Sequence, residues 1–162
     1  MLLLSASFPK KSKKRLKNMV DNILIVCIGN ICRSPMGEGL LQMMLPELKV
    51  SSAGIFAMVG YPAAPHSINL MMEKGIDISN HLARQIDRQM VSEADLILTM
   101  EHPHNKKIQS MFLGTTGKVH LIGKWLDNRE ISDPVGKDER AFRIAMENIE
   151  KGLNLWVEQI KK

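Results

Sequence analysis

The chain alternates short apolar runs with longer stretches whose apolar residues recur every three or four positions. Residues 23–26, Ile-Leu-Ile-Val, are continuous and mostly branched, the pattern of a strand buried on both faces of a parallel sheet. After a glycine-bearing loop, Met36, Leu40, Leu41, Met44 and Leu45 recur at helical spacing as far as Pro46, with Ser34 as N-cap and Pro35 at the first helical position. A second strand is expected near 49–53, followed by a loop rich in Gly, Ala and Pro over 54–64. Pro65 opens a helix carrying Ile68, Leu70, Met71 and Met72 that stops at Gly75. A short helical stretch at 87–93, a buried strand at 95–99, a helix at 101–111 and a strand at 118–122 come next. The last element is a long helix over 137–160, with Phe142, Ile144, Ala145, Ile149, Leu153 and Trp156 as its apolar side. Such alternation predicts an α/β fold, a doubly wound four-stranded parallel sheet flanked by helices, whose ligands bind beyond the carboxyl ends of the strands.

Composition bounds this picture without changing it. At 162 residues and 44% apolar content the chain holds one domain with a substantial core. No apolar run approaches the roughly 18 residues that span a bilayer, so no membrane insertion is expected. The net charge of +5 is unevenly placed. Six of the 22 Lys and Arg residues lie within 1–18 with no acid among them, leaving sixteen cations against seventeen acids in 19–162. Residues 1–18 therefore read as a basic, disordered extension. KKSKKRLK has no aromatic interleaving, so no nucleic-acid partner is expected. A secretory signal would place its cations before the apolar segment, the reverse of the order here. Synthesis starting at Met19, directly before the first strand, fits the pattern better, and the domain is taken as 19–162.

Cys27 and Cys32 are the only cysteines, which gives neither a disulfide framework nor a four-ligand metal site and suits a reducing cytoplasm. Of five histidines only His102 and His104 are close, at a spacing suited to a turn, so neither a metal nor a cofactor is expected.

The chemistry gathers after the first strand, in Cys27-Ile28-Gly29-Asn30-Ile31-Cys32-Arg33-Ser34. A loop between a strand and a helix N-terminus can turn its backbone N–H groups inward as an anion nest, and Gly29 and Asn30 both tolerate positive φ. Arg33 supplies a planar bidentate clamp for phosphate. A free cysteine thiol titrates at about 8.5, and cations and helix N-termini favour its thiolate. Cys27 at the bottom of a phosphate-shaped cradle is thus placed to attack phosphorus. Breaking a phosphomonoester also needs an acid for the leaving oxygen. Asp133, in Ser132-Asp133-Pro134 after the fourth strand, comes to the same end of the sheet, although an Asp-Pro pair by itself is more often a turn or a helix start. Cys32 reads either as a small buried apolar residue or as a redox partner.

With these segments assembled, the chain resembles the low-molecular-weight protein tyrosine phosphatases, particularly the bacterial branch that works beside capsule and exopolysaccharide tyrosine kinases. CIGNICRSP (27–35) resembles the family's phosphate loop, SSAG (51–54) its second-strand exit, HLARQI (81–86) its middle motif, ADLILTM (94–100) its third strand and SDP (132–134) its acid loop. The resemblance implies Cys27 as nucleophile, Arg33 as phosphate clamp, and Asp133 as general acid and then base. It also implies that Asn30, Ser34, Ser52 and His81 form a polar network around the loop, and that Cys32 can form a disulfide with Cys27. The implied partner is a phosphotyrosine protein, a bacterial tyrosine autokinase.

The chain departs from the family after the acid, where Val135 and Gly136 stand in place of an aromatic residue. Apolar contacts to a substrate ring would then come from Ile31, Ile55, Phe56, Met58 or Tyr61. Phosphoarginine phosphatases are the nearest rivals, and their loop carries threonine where this chain has Ile31, an apolar residue that favours a phenyl ring. Arsenate reductases need further cysteines downstream of Cys32, which the chain lacks. A non-catalytic phosphotyrosine-binding module could dispense with the nucleophile or the acid, and both are present.

Overall fold

The structure, a computed structural model, describes residues 19–162, so the expectations for residues 1–18 lie outside the described part. Four strands form one sheet: β1 (Asn22–Cys27), β2 (Lys49–Gly54), β3 (Leu96–Thr99) and β4 (Val119–Leu121). All neighbours are parallel, in the order β2-β1-β3-β4. The helices are α1 (Arg33–Met44), α2 (Pro65–Glu73), α3 (Arg88–Glu93), α4 (His102–Met111) and α5 (Glu139–Ile160). The fold is the doubly wound α/β sheet that the alternation predicts.

β1 is central, and successive side chains of a strand face opposite ways. Ile23, Ile25 and Cys27 enter one core, shared with Met36, Leu40 and Leu41 of α1 and with Phe142, Ile149 and Leu153 of α5. Leu24 and Val26 enter the other, with Val91 of α3 and Ile108 of α4. The chain leaves β1 toward β2 on one side and returns through β3 on the other, so the end of β1 is the switch point where such sheets leave a crevice. Cys27 is the last residue of β1 and stands at that crevice.

Several details differ from the sequence expectation. α1 begins at Arg33 with Cys32 in the N-cap position, so Ser34 is not the cap and Pro35 is third in the helix; the Ser34 hydroxyl is committed elsewhere, as described below. α5 begins at Glu139 because the Asp138 carboxylate caps it, accepting from the Ala141 amide at 3.1 Å. Ile144 is 49% exposed and is not on the buried side of α5. Gly75 takes φ 75° at the end of α2, the left-handed stop that the sequence predicts.

Candidate active site

The loop between β1 and α1 is held open by its own carbonyls. Cys27 O accepts from the Ile55 amide at 3.0 Å, Ile28 O from Phe56 N at 3.0 Å, Gly29 O from Met58 N at 3.0 Å and Ile31 O from Ala64 N at 2.8 Å. Asn30 O lies 2.7 Å from His81 Nε2, and Cys32 O accepts from Ser67 Oγ at 3.0 Å. Six successive carbonyls are thereby committed to outside donors, which leaves the loop amides to face the other way, the arrangement of a concave N–H surface that can hold an oxyanion. Asn30 takes φ 58°, one of three non-glycine residues with positive φ among the described residues. The close approach also explains Gly54 at the end of β2, where a Cβ would collide with the Ile28 carbonyl oxygen.

Behind the loop lies a buried hydrogen-bonded network. Asn30 Nδ2 donates to Ser34 Oγ at 2.8 Å and to Ser52 Oγ at 3.0 Å, while its Oδ1 accepts from the Arg84 amide at 2.8 Å. Ser34 Oγ also lies 2.9 Å from Cys27 Sγ, and with Cys27 as a thiolate the hydroxyl is the donor that stabilises negative charge on the sulfur. Ser52 Oγ donates to Glu38 Oε2 at 2.7 Å, and the Arg84 guanidinium donates to Ser52 O. Asn30, Ser34, Ser52 and His81 therefore do form one network. Glu38 and Arg84 belong to it as well; Arg84 lies within the 81–86 motif, and Glu38 stands in no motif read from the sequence.

A cavity of about 190 Å³ opens over the loop, lined by Cys27, Ile28, Gly29, Ile31, Cys32, Arg33, Phe56, Met58, Asp133 and Val135. The nucleophile, the clamp and the acid expected from the sequence thus meet in one concavity. A larger groove, about 540 Å³, runs past Glu38, Gln42 and His81 on the outer side of α1 and holds neither cysteine. Of the proposed apolar contacts, Ile31, Phe56 and Met58 line the cavity. Ile55 is buried in the core beneath, and Tyr61, 58% exposed, stands apart from the walls. Val135 supplies an aliphatic wall beside Asp133, in place of an aromatic one.

Arg33 is only 1% exposed. Its Nη1 donates to the Ile131 carbonyl at 2.7 Å and lies 3.4 Å from Glu101 Oε2, while Nη2 lies 3.4 Å from Asp133 Oδ2. Among the described residues its Nε has no acceptor, and an oxyanion in the cavity that Arg33 lines would supply one. Asp133 is fixed by an Asx turn, its Oδ1 accepting from the Val135 amide at 3.1 Å. Glu101 stands in no motif read from the sequence, although its place just after β3, at the carboxyl end of the sheet, follows from the same rule that placed Cys27. Both cysteines are free and buried. Burial, followed by the negative charge of Cys27 and Asp133, pushes the Cys32 thiol up to about 12.

Among the described residues, no helix is long and apolar enough to cross a membrane. The family described as low molecular weight phosphotyrosine protein phosphatase matches residues 22–162. A curated relative from Ralstonia nicotianae, the probable low molecular weight protein-tyrosine-phosphatase EpsP, is 46% identical over 143 residues, covering 88% of this chain and 98% of its own. The structure of Vibrio vulnificus Wzb in complex with benzylphosphonate superimposes with a TM-score of 0.84 at 37% identity, over 86% of this chain and 99% of that one. The YwlE arginine phosphatase from Geobacillus stearothermophilus reaches a TM-score of 0.81 at 31% identity, over 86% of this chain and 92% of its own. The family match over residues 22–162 and the 46% identity to a relative covered over 98% of its own length place this protein in the low-molecular-weight protein-tyrosine-phosphatase family.

Proposed function

We propose that the protein hydrolyses phosphotyrosine through a phosphocysteine intermediate. The observation that carries this reading is the shared cavity: Cys27 lies at its base, Arg33 and the loop amides surround the place of an oxyanion, and Asp133 stands on its wall. The Cys27 thiolate attacks phosphorus, and the equatorial oxygens bind the amides and the Arg33 guanidinium, which stabilise charge as it develops. As the P–O bond breaks, Asp133 gives its proton to the departing phenolate oxygen. The carboxylate so formed then takes a proton from water attacking the phosphocysteine, which releases inorganic phosphate and restores the thiolate. Ile31, Phe56, Met58 and Val135 give the ring an apolar enclosure, which suits a phenyl group better than the guanidinium of phosphoarginine.

The resemblance to the exopolysaccharide-associated branch supports a bacterial tyrosine autokinase as the protein substrate and the cytoplasm as the setting. Initial rates on phosphotyrosine, phosphoarginine and phosphoserine peptides test the reading. Phosphotyrosine should be turned over fastest, and a preference for phosphoarginine would overturn the assignment. Cys27→Ser should abolish turnover yet still bind inorganic phosphate, whereas Asp133→Asn should lower kcat by about 10²–10⁴-fold, the usual contribution of a positioned general acid. Full activity in either variant would sink the mechanism.

A further inference from the structure

The catalytic reading leaves a buried histidine at the site without a role. His104, in the first turn of α4, is 3% exposed, yet it lies against the site and not within the apolar core. Its Nε2 is 3.1 Å from Glu101 Oε2, and that same oxygen is 3.4 Å from Arg33 Nη1. A carboxylate cannot donate, so the proton belongs on Nε2, and Nδ1 is left buried with no partner among the described residues. Protonating the ring would bury an N–H without an acceptor beside the Arg33 cation, and burial and Arg33 both hold the histidine below its usual range. Glu101, Glu130 and Asp133 act in the opposite direction with less effect. His104 is thus a neutral donor of fixed tautomer.

We propose that His104 is a positioning residue for phosphate binding: by donating to Glu101 it pins that carboxylate against the protein-facing side of Arg33, so that the guanidinium is presented to the oxyanion. The need for such a device follows from the distances. Arg33 has two carboxylates at 3.4 Å, Glu101 on Nη1 and Asp133 on Nη2. If Glu101 swings away, Arg33 is left to pair with Asp133, and the clamp and the acid then occupy each other. Each acid on its own predicts little, but the shared Oε2 fixes the arrangement: the carboxylate oxygen that faces Arg33 is the one His104 holds. Held there, Glu101 and the Ile131 carbonyl engage Nη1 and leave Nε for the substrate.

The proposal rests on the cavity being the oxyanion site of the reaction above, and it is tested by a readout independent of turnover. Dissociation constants for inorganic phosphate would be measured by calorimetry on the full chain and on His104→Leu, His104→Gln and Glu101→Gln, with thermal midpoints recorded alongside. His104→Leu keeps apolar volume but removes the donor, whereas glutamine retains an N–H donor. Weakening of phosphate binding by about tenfold in His104→Leu is expected, the usual order for a lost hydrogen bond to a charged group. His104→Gln should recover binding to within about threefold, and combining His104→Leu with Glu101→Gln should add little to Glu101→Gln alone, because the two act in series. The kinetic counterpart is a raised KM for phosphotyrosine with a smaller change in kcat. Phosphate binding unchanged in His104→Leu, equal losses in the leucine and glutamine variants, or additive losses in the double variant would each overturn the role. Should His104→Leu fail to fold, Glu101→Gln tests the same contact from its other side, and normal phosphate affinity there would overturn the role. Wild-type protein that binds phosphate but does not hydrolyse phosphotyrosine would count against the proposed reaction and leave the affinity ratios interpretable.

Discussion

Asn30 shows how much a single residue can decide. Its φ of 58° gives the loop its turn, its amide group reaches Ser34 and Ser52, and its carbonyl oxygens hold His81 and the Arg84 amide. The sequence marks it as a turn former, but apart from Ser34 its partners come from β2 and the 81–86 segment and are invisible locally. The two cysteines separate at this scale too. With the Cys32 thiol pushed up to about 12, it remains protonated through about pH 9, and alkylation by iodoacetamide at about pH 8 should modify Cys27 well before Cys32. Peptide mass spectrometry would show the order, and phosphate should slow only the Cys27 reaction. Two histidines, His104 buried and His120 half-buried, set an acid limit. His104 and His120 are both held below the usual value of about 6.5, each by burial first and then by a neighbouring cation, Arg33 and Lys124 respectively. Below about pH 6.5 the unfolded chain takes up protons that the folded protein refuses, so folding stability should fall as pH drops from there through the depressed folded values. Urea midpoints at about pH 7.5 and 5.5 would check this, with a smaller loss expected in His104→Gln.

At the scale of elements, two glycines and one aliphatic side chain hold the site against the core. Gly54 lets the end of β2 pass under the Ile28 carbonyl, and alanine there must displace a backbone atom of the phosphate loop. Gly54→Ala should cost about 1–3 kcal/mol of stability by overpacking and lower kcat/KM by about 10²-fold through misplacement of the loop, measured by denaturation and by initial rates. Gly152 allows α5 to lie against β4, with Ile122 atoms 2.7 Å from where a Cβ would stand. Ile149, fully buried between α5 and the sheet, should cost about 2–5 kcal/mol as Ile149→Ala, read from urea unfolding, with kcat little changed in the folded fraction. The elements themselves were legible because their periodicities differ, continuous in β1 and β3 and helical in α1 and α5. Boundaries were less so: Ser34 has the composition of an N-cap, but a tertiary partner, Cys27, claims its hydroxyl. Ile144 fits the apolar count of α5 yet faces outward, since nothing in the sequence says how far the neighbouring layer extends.

Across the whole molecule, the parallel order β2-β1-β3-β4 brings residues from five segments of the chain, 27–34, 52–58, 81–84, 101–104 and 131–135, to one end of the sheet. The hydrogen bonds described for the site all lie between residues 27 and 135, and the family match begins at residue 22. The protein lacking residues 1–18 should therefore keep its melting midpoint and its phosphotyrosine kcat/KM, and a large loss of either would show that the domain extends further. By itself the sequence determined the fold class and put the loop after β1 and the segment around Asp133 at one end of the sheet, because alternating periodicity and the rule that ligands bind beyond the carboxyl ends of parallel strands need only local information. Only the tertiary structure decided which donors claim the loop carbonyls, that Val135 and Met58 wall the cavity while Tyr61 does not, and that Glu101 and His104 stand behind Arg33. Those contacts join residues far apart in the chain, and their energies depend on burial and angle, which no local pattern of residue types encodes.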